Sequence, residues 1–87
     1  MEGVVEENVL DCKRDLSCYL RLQTEEGEVT VLYAEPFGTP CPNHPAGSVG
    51  IKIREGARVR VFARAIGGAE LSTCPDEKYF LLVLDDP

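Results

Sequence analysis

The chain has no tryptophan, one methionine, one histidine, three tyrosines and three phenylalanines among its 87 residues. It has no excess of basic charge: nine Lys and Arg stand against 15 Asp and Glu, for a net charge of −6 and a pI near 4.6. Dedicated non-specific nucleic-acid binders draw their affinity from counterion release at a basic surface, so this balance argues against that class. No apolar run approaches the roughly 18 residues that span a bilayer. The first residues are acidic and lack the basic start and apolar core of a secretory signal, and Met1 fits either a native start or an introduced one. Repeats and low-complexity segments are missing too. A chain of this length holds one domain, expected over residues 1–87, and one core, and an added restraint such as a disulfide or a metal would be useful to it.

What is present is alternation. From Ala57 to Ala65, Val59, Val61, Ala63 and Ala65 point one way while Arg58, Arg60, Phe62 and Arg64 point the other. A period of two with one apolar side is a strand with one buried face. Glu55-Gly56 makes a tight turn before it, Gly67-Gly68 supplies the positive φ of a hairpin turn, and Ala69 to Cys74 is the return strand. Ser17 to Thr24 alternates as well, with Cys18, Leu20 and Leu22 opposite Tyr19, Arg21 and Gln23. A turn over Glu25 to Glu28 and a strand over Val29 to Tyr33 complete a second hairpin. Gly3 to Cys12 is β-biased but interrupted at Glu6, Glu7 and Asn8, which predicts a first strand that is bent or bulged midway. Glu35 to Gly50 holds four prolines and three glycines, a density neither a long helix nor a central strand tolerates. It reads as a crossover loop with one short helical turn near His44 to Val49, after which Ile51 and Ile53 return to the core. Pro75-Asp76-Glu77 is a turn, and Tyr79 to Leu84 is a nearly continuous apolar closing strand.

The first hairpin, with Leu20, Leu22, Thr24, Gly27, Val29 and Val31, followed by Ile53, Gly56, Val59 and Val61, resembles the OB-fold superfamily in its spacing of turns and apolar positions. The resemblance covers most of the chain. It implies an all-β, five- to six-stranded small barrel, here with a Pro-rich crossover in place of the usual helix between the third and fourth strands. OB-folds are binding modules for oligonucleotides or oligosaccharides, with the face of strands two and three as the site. A fold of this kind does not by itself name a ligand.

Four cysteines, Cys12, Cys18, Cys41 and Cys74, suggest a disulfide framework in an oxidising compartment, so a periplasmic or secreted location is favoured if the bridges form. On the OB-like topology the expected pairs are Cys12–Cys18 and Cys41–Cys74, although spacing alone leaves three pairings open. Closing the longer loop would contribute roughly 3–4 kcal/mol. The alternatives are free thiols and zinc. Cys41-Pro-Asn-His44 has the spacing of a half-site that Cys74, Cys12 or Cys18 could complete, but a second short-spaced half-site is missing. His44 has Ser48 and Cys41 nearby without any nucleophile motif around them, and no paired carboxylates or phosphate loop stand out. The expectation is a protein that is not an enzyme.

Arg58, Arg60, Phe62 and Arg64, joined by Tyr19 and Arg21 from the outer face of another strand, interleave charge with rings, as single-stranded nucleic acid or an acidic ligand would need. The plainer reading is a row of outward barrel residues paired across to Glu28 or Glu70. The sequence therefore points first to a disulfide-stabilised binding domain for a protein or an extended polymer such as a glycan, needing no cofactor. A nucleic-acid-binding domain comes second, and a zinc-stabilised module third.

Overall fold

A computed structural model describes residues 1–13, 16–34 and 45–86, with backbone alone at Lys13 and Pro45. Its strands are β1 (Glu2–Leu10), β2 (Cys18–Thr24), β3 (Gly27–Ala34), β4 (Arg58–Phe62), β5 (Arg64–Gly67), β6 (Glu70–Ser72) and β7 (Phe80–Asp85). One short helix, α1 (Pro45–Gly50), and a 3-10 turn at Asp11–Lys13 are the helical elements among the described residues. The all-β expectation holds. The expected Pro-rich crossover is mostly residues 35–44, which lie outside the described residues, and its predicted helical turn is α1.

The strands form one sheet in the order β5-β6-β3-β2-β1-β4-β7. All neighbours are antiparallel except β3 and β6, which pair from Thr30↔Glu70 to Leu32↔Ser72 in parallel. Only Ala63 separates β4 from β5, yet β1, β2, β3 and β6 stand between them in the sheet. A flat sheet would hold the two about 24 Å apart at roughly 4.8 Å per strand. Two residues of chain reach about 7 Å. The sheet must therefore roll up, and it is a curled half-barrel, compatible with an OB-like barrel at this coarse level.

The roll also corrects the single strand expected over Ala57 to Ala65. Val59 and Val61 are buried and Arg58, Arg60 and Phe62 exposed, as alternation predicts, but Ala63 is half-buried and Ala65 exposed. The chain leaves the β4 ladder at Ala63 and joins β6 through Arg64↔Ser72 and Ala65↔Leu71, so the six expected segments become seven strands. The turn after it uses Gly68 and Ala69, with Gly67 already opposite Glu70 and Gly68 at φ 50°.

The β2–β3 hairpin follows its sequence pattern closely. Cys18, Leu20 and Leu22 are fully buried, as are Val31 and Tyr33 opposite them in the core. Its turn is held by Thr24, whose hydroxyl donates to Gly27 O (2.8 Å) and accepts from Glu26 N (3.1 Å). Gly27 has φ 108°, a conformation that side chains with a Cβ rarely adopt.

β1 contains the anticipated bulge. Val5 pairs with Leu22 but Glu7, not Glu6, pairs with Arg21. The extra residue reverses the facing of everything after it. Glu7 and Val9 join the outer side of the sheet, and Asn8, opposite the buried Leu20, turns inward. There Asn8 accepts from the Tyr33 hydroxyl (2.6 Å) and donates to Gly50 O and Ile53 O (both 2.8 Å), tying the end of α1 to the sheet. Gly50 lies so close to Tyr33 that a Cβ there would overlap the ring. Ile53 returns to the core as expected, whereas Ile51 is exposed, because α1 ends in a turn that points it outward.

Candidate binding face on the outer side of the sheet

The outer side of β4 carries Arg58, Arg60 and Phe62 because its inner side must bury Val59 and Val61. Register extends this face in both directions. Arg60 stands opposite Glu2 on β1 and Leu82 on β7, Phe62 opposite Phe80, and Arg58 opposite Val4 and Asp85. Val4 in turn faces Gln23, and Glu7 faces Arg21, so β2 adds Arg21 and Tyr19 to the same side.

The expected residues do not all converge. Tyr19, Arg21, Arg58, Arg60 and Phe62 share one continuous face. Arg64 belongs to β5, in register with Ser72, then Leu32, then Tyr19. It therefore lies about 14 Å from Tyr19 across three strand spacings, on a different ladder from Arg60.

Arg21 and Arg60 are already engaged, whereas Arg58 makes no ion pair among the described residues. Arg60 donates from Nε (3.2 Å) and Nη2 (2.9 Å) to Glu2 Oε2. That hydrogen bond, with the charge of Arg60 behind it, holds the Glu2 carboxyl below its ordinary range. Arg21 Nη2 lies 2.6 Å from Glu7 Oε1, and its Nη1 is 4.0 Å from Glu28. Its Nε is shielded from solvent and has no hydrogen-bond partner among the described residues. Pairing with Glu28 follows the plainer sequence reading; Glu2 and Glu7 were not foreseen, because the register that places them opposite is set by the bulge and by β1–β4 pairing. These exposed pairs add little stability. Their effect here is to neutralise local charge.

The aromatic part of the face is denser than the sequence suggested. Phe62 meets Tyr79 edge-on at 5.1 Å between ring centres and Phe80 at 5.9 Å. Lys78 Nζ sits 5.5 Å from the Tyr79 ring centre, within cation–π range. Phe62, Phe80 and Leu82 remain exposed, whereas Tyr79 and Leu81 are buried. Sequence reading missed Phe80 and Leu82 as surface residues because an apolar run reads as buried on both sides. No second layer covers the outer side of β7 among the described residues, so Phe80 and Leu82 meet solvent as Phe62 does on β4. Two shallow depressions flank these strands. One, of about 440 Å³, is lined by Met1, Glu2, Thr24, Glu25 and Glu26. The other, of about 340 Å³, lies between α1 and β7 and is lined mainly by Val49, Lys52, Ile53, Ala57, Val83 and Asp86.

Cys12 and Cys18 form a disulfide, as expected, with their Cα atoms 4.7 Å apart and both side chains fully buried. Cys12 N also donates to Cys18 Sγ (3.1 Å). The bridge removes these two from any metal site. Cys74 is disulfide-bonded too. Cys41 and His44 lie outside the described residues, and with them the expected Cys41–Cys74 pairing and the alternative zinc half-site. Among the described residues no group of three or more His, Cys, Asp or Glu is placed to hold a metal. No helix among them is long and apolar enough to cross a membrane. No protein-family model matches the chain, and neither a curated protein nor a solved structure matches it.

Proposed function

We propose that the protein is a non-enzymatic, OB-like binding domain whose outer β4–β7 face takes an extended, uncharged or weakly charged chain, a glycan or a polypeptide. The observation that carries this reading is the exposed group Phe62, Phe80 and Leu82 beside Arg60 and Arg21, whose charge is already met by Glu2 and Glu7. Rings exposed on the outer face of the sheet offer stacking area to sugar rings or apolar side chains. A polyanion would instead have to displace Glu2 from Arg60 and Glu7 from Arg21 before it gained their charge. The Cys12–Cys18 bridge supports an oxidising compartment, which favours an extracytoplasmic setting where glycans and exposed polypeptides are met.

The test is a titration of isotope-labelled protein with chitohexaose and, separately, with oligothymidine at low and high salt. Shifts at Phe62, Phe80 and Leu82 with the sugar, indifferent to salt and lost in Phe62→Ala, are expected. Oligothymidine binding that weakens with salt and with Arg60→Ala would replace this reading with nucleic-acid binding. A polypeptide ligand is probed with a panel of unstructured peptides, and silence from sugar and peptides alike would end the proposal.

A further inference from the structure

We propose that the slot between α1 and the inner side of β7 is a second binding site, which takes a small zwitterion with an apolar body, a hydrophobic dipeptide. The slot follows from how α1 is seated. Gly50 lets the end of the helix close on the Tyr33 ring, and Asn8 holds it there through Gly50 O and Ile53 O. These ties draw α1 toward β3 and β1. On its other flank, against β7, the packing stays open and leaves about 340 Å³. Small-molecule sites begin at roughly 300 Å³, so the occupant is a small molecule and not a folded partner.

The floor of the slot is core. Ile53 is 6 % exposed and Ala57 is fully buried. Val83 faces inward, since it pairs with the buried Val59, yet it is 37 % exposed, as is Val49 on α1. Two apolar walls thus border a space that no described residue fills. The charges at the mouth identify the occupant. Ser48 on α1 and Lys52 in the turn after it stand on one side, and Asp86, which follows β7, on the other. Neither Lys52 nor Asp86 has an ion-pair partner among the described residues, and they do not pair with each other. A ligand with a carboxylate at one end and an ammonium at the other satisfies both. Its carboxylate meets Lys52 and the Ser48 hydroxyl, its ammonium meets Asp86, and its apolar body lies on Val49, Ile53 and Val83. A fatty acid would leave Asp86 without a partner, and an alkylamine would leave Lys52 without one. A free amino acid carries both charges on one carbon, whereas a dipeptide sets them apart on either side of a peptide unit. The slot lies on the inner side of the sheet, so this inference goes beyond the proposed outer-face ligand and does not depend on it.

Methyl spectra of the isotope-labelled full chain, titrated with leucyl-leucine, test it. Saturable shifts are expected at Val49, Ile53 and Val83. Acetyl-leucyl-leucine, which lacks the ammonium, and leucyl-leucine amide, which lacks the carboxylate, should each bind about two- to fivefold more weakly, as the loss of one exposed charge pair implies. Lys52→Ala should weaken leucyl-leucine by the same factor and leave the amide unchanged. Asp86→Asn should weaken leucyl-leucine and leave the acetylated form unchanged. Both side chains are exposed, so the variants should keep the fold, which circular dichroism checks. No shift at these methyls up to the solubility limit, equal binding of the blocked and free dipeptides, or losses that do not follow this pairing would overturn the proposal. So would tighter binding of 6-aminohexanoate, which carries the same two charges without the peptide unit. Shifts at Phe62, Phe80 and Leu82 report the outer face separately, so either site can fail without the other.

Discussion

Replacing Asn8 with alanine should be among the most damaging single changes that leave the apolar core intact. The Asn8 side chain makes three hydrogen bonds, one from the Tyr33 hydroxyl and one each to Gly50 O and Ile53 O. Tyr33 is fully buried, so its hydroxyl would be left without an acceptor, at a cost of about 1–3 kcal/mol. Gly50 O keeps its bond from Ile53 N (3.1 Å), whereas Ile53 O loses the bond from Asn8. A further 1 kcal/mol, roughly, follows from that loss, for a total of about 2–4 kcal/mol. α1 has six residues, too few to be stable as an isolated helix, so its seat on the sheet depends on such ties. Tyr33→Phe should cost only about 1 kcal/mol, because the half-buried Asn8 can turn its oxygen to water. The double variant should be less destabilised than the sum by about 1–2 kcal/mol, since the stranded hydroxyl is gone. Urea unfolding with the disulfides intact reads these differences, and the melting point of Asn8→Ala should fall by roughly 10–25 °C. A change below about 0.5 kcal/mol in Asn8→Ala, or a larger loss in Tyr33→Phe than in Asn8→Ala, would refute this account.

Burial pushes the Tyr33 hydroxyl up to about 12 from the usual 10, against a smaller opposing effect of the Asn8 bond. The folded state then keeps a proton the unfolded chain releases, so stability is whole below pH 10 and falls as pH rises toward 12. The loss should reach about 2–3 kcal/mol and should be absent in Tyr33→Phe; parallel pH–stability curves for the two proteins would contradict it. Removing the Cys12–Cys18 bridge by Cys12→Ala with Cys18→Ala should cost about 2 kcal/mol from loop closure alone, a small value because the bridge spans six residues. Denaturant midpoints measure it, and an unchanged midpoint would show that the unfolded chain gains no freedom from the opened loop.

Local chemistry was legible in the sequence. Alternation over Ser17 to Thr24 is a property of neighbouring residues, and it placed Cys18, Leu20 and Leu22 in the core correctly. Gly27, Gly56 and Gly68 announced turns because their backbone takes positive φ where other residues resist it. The short Cys12–Cys18 spacing across a loop made that bridge the natural pair on the OB-like arrangement. The outward side of β4, with Arg58, Arg60 and Phe62, was legible for the same reason as the core.

Tertiary structure decided what depends on distant partners. The strand from Ala57 looked continuous because alternation persists through Ala65, but curling the sheet requires the chain to change ladders, and small Ala63 is where it does so. Asn8 looked like an interruption and is an anchor, since the bulge before it turned its side chain toward Tyr33 and α1. Arg60 and Arg21 found Glu2 and Glu7 through register, which no local pattern encodes. Whether Phe80 and Leu82 are buried depends on whether a second layer covers the outer face. An apolar strand has the same sequence beneath such a layer as without one, and only the packing of the whole chain distinguishes the two.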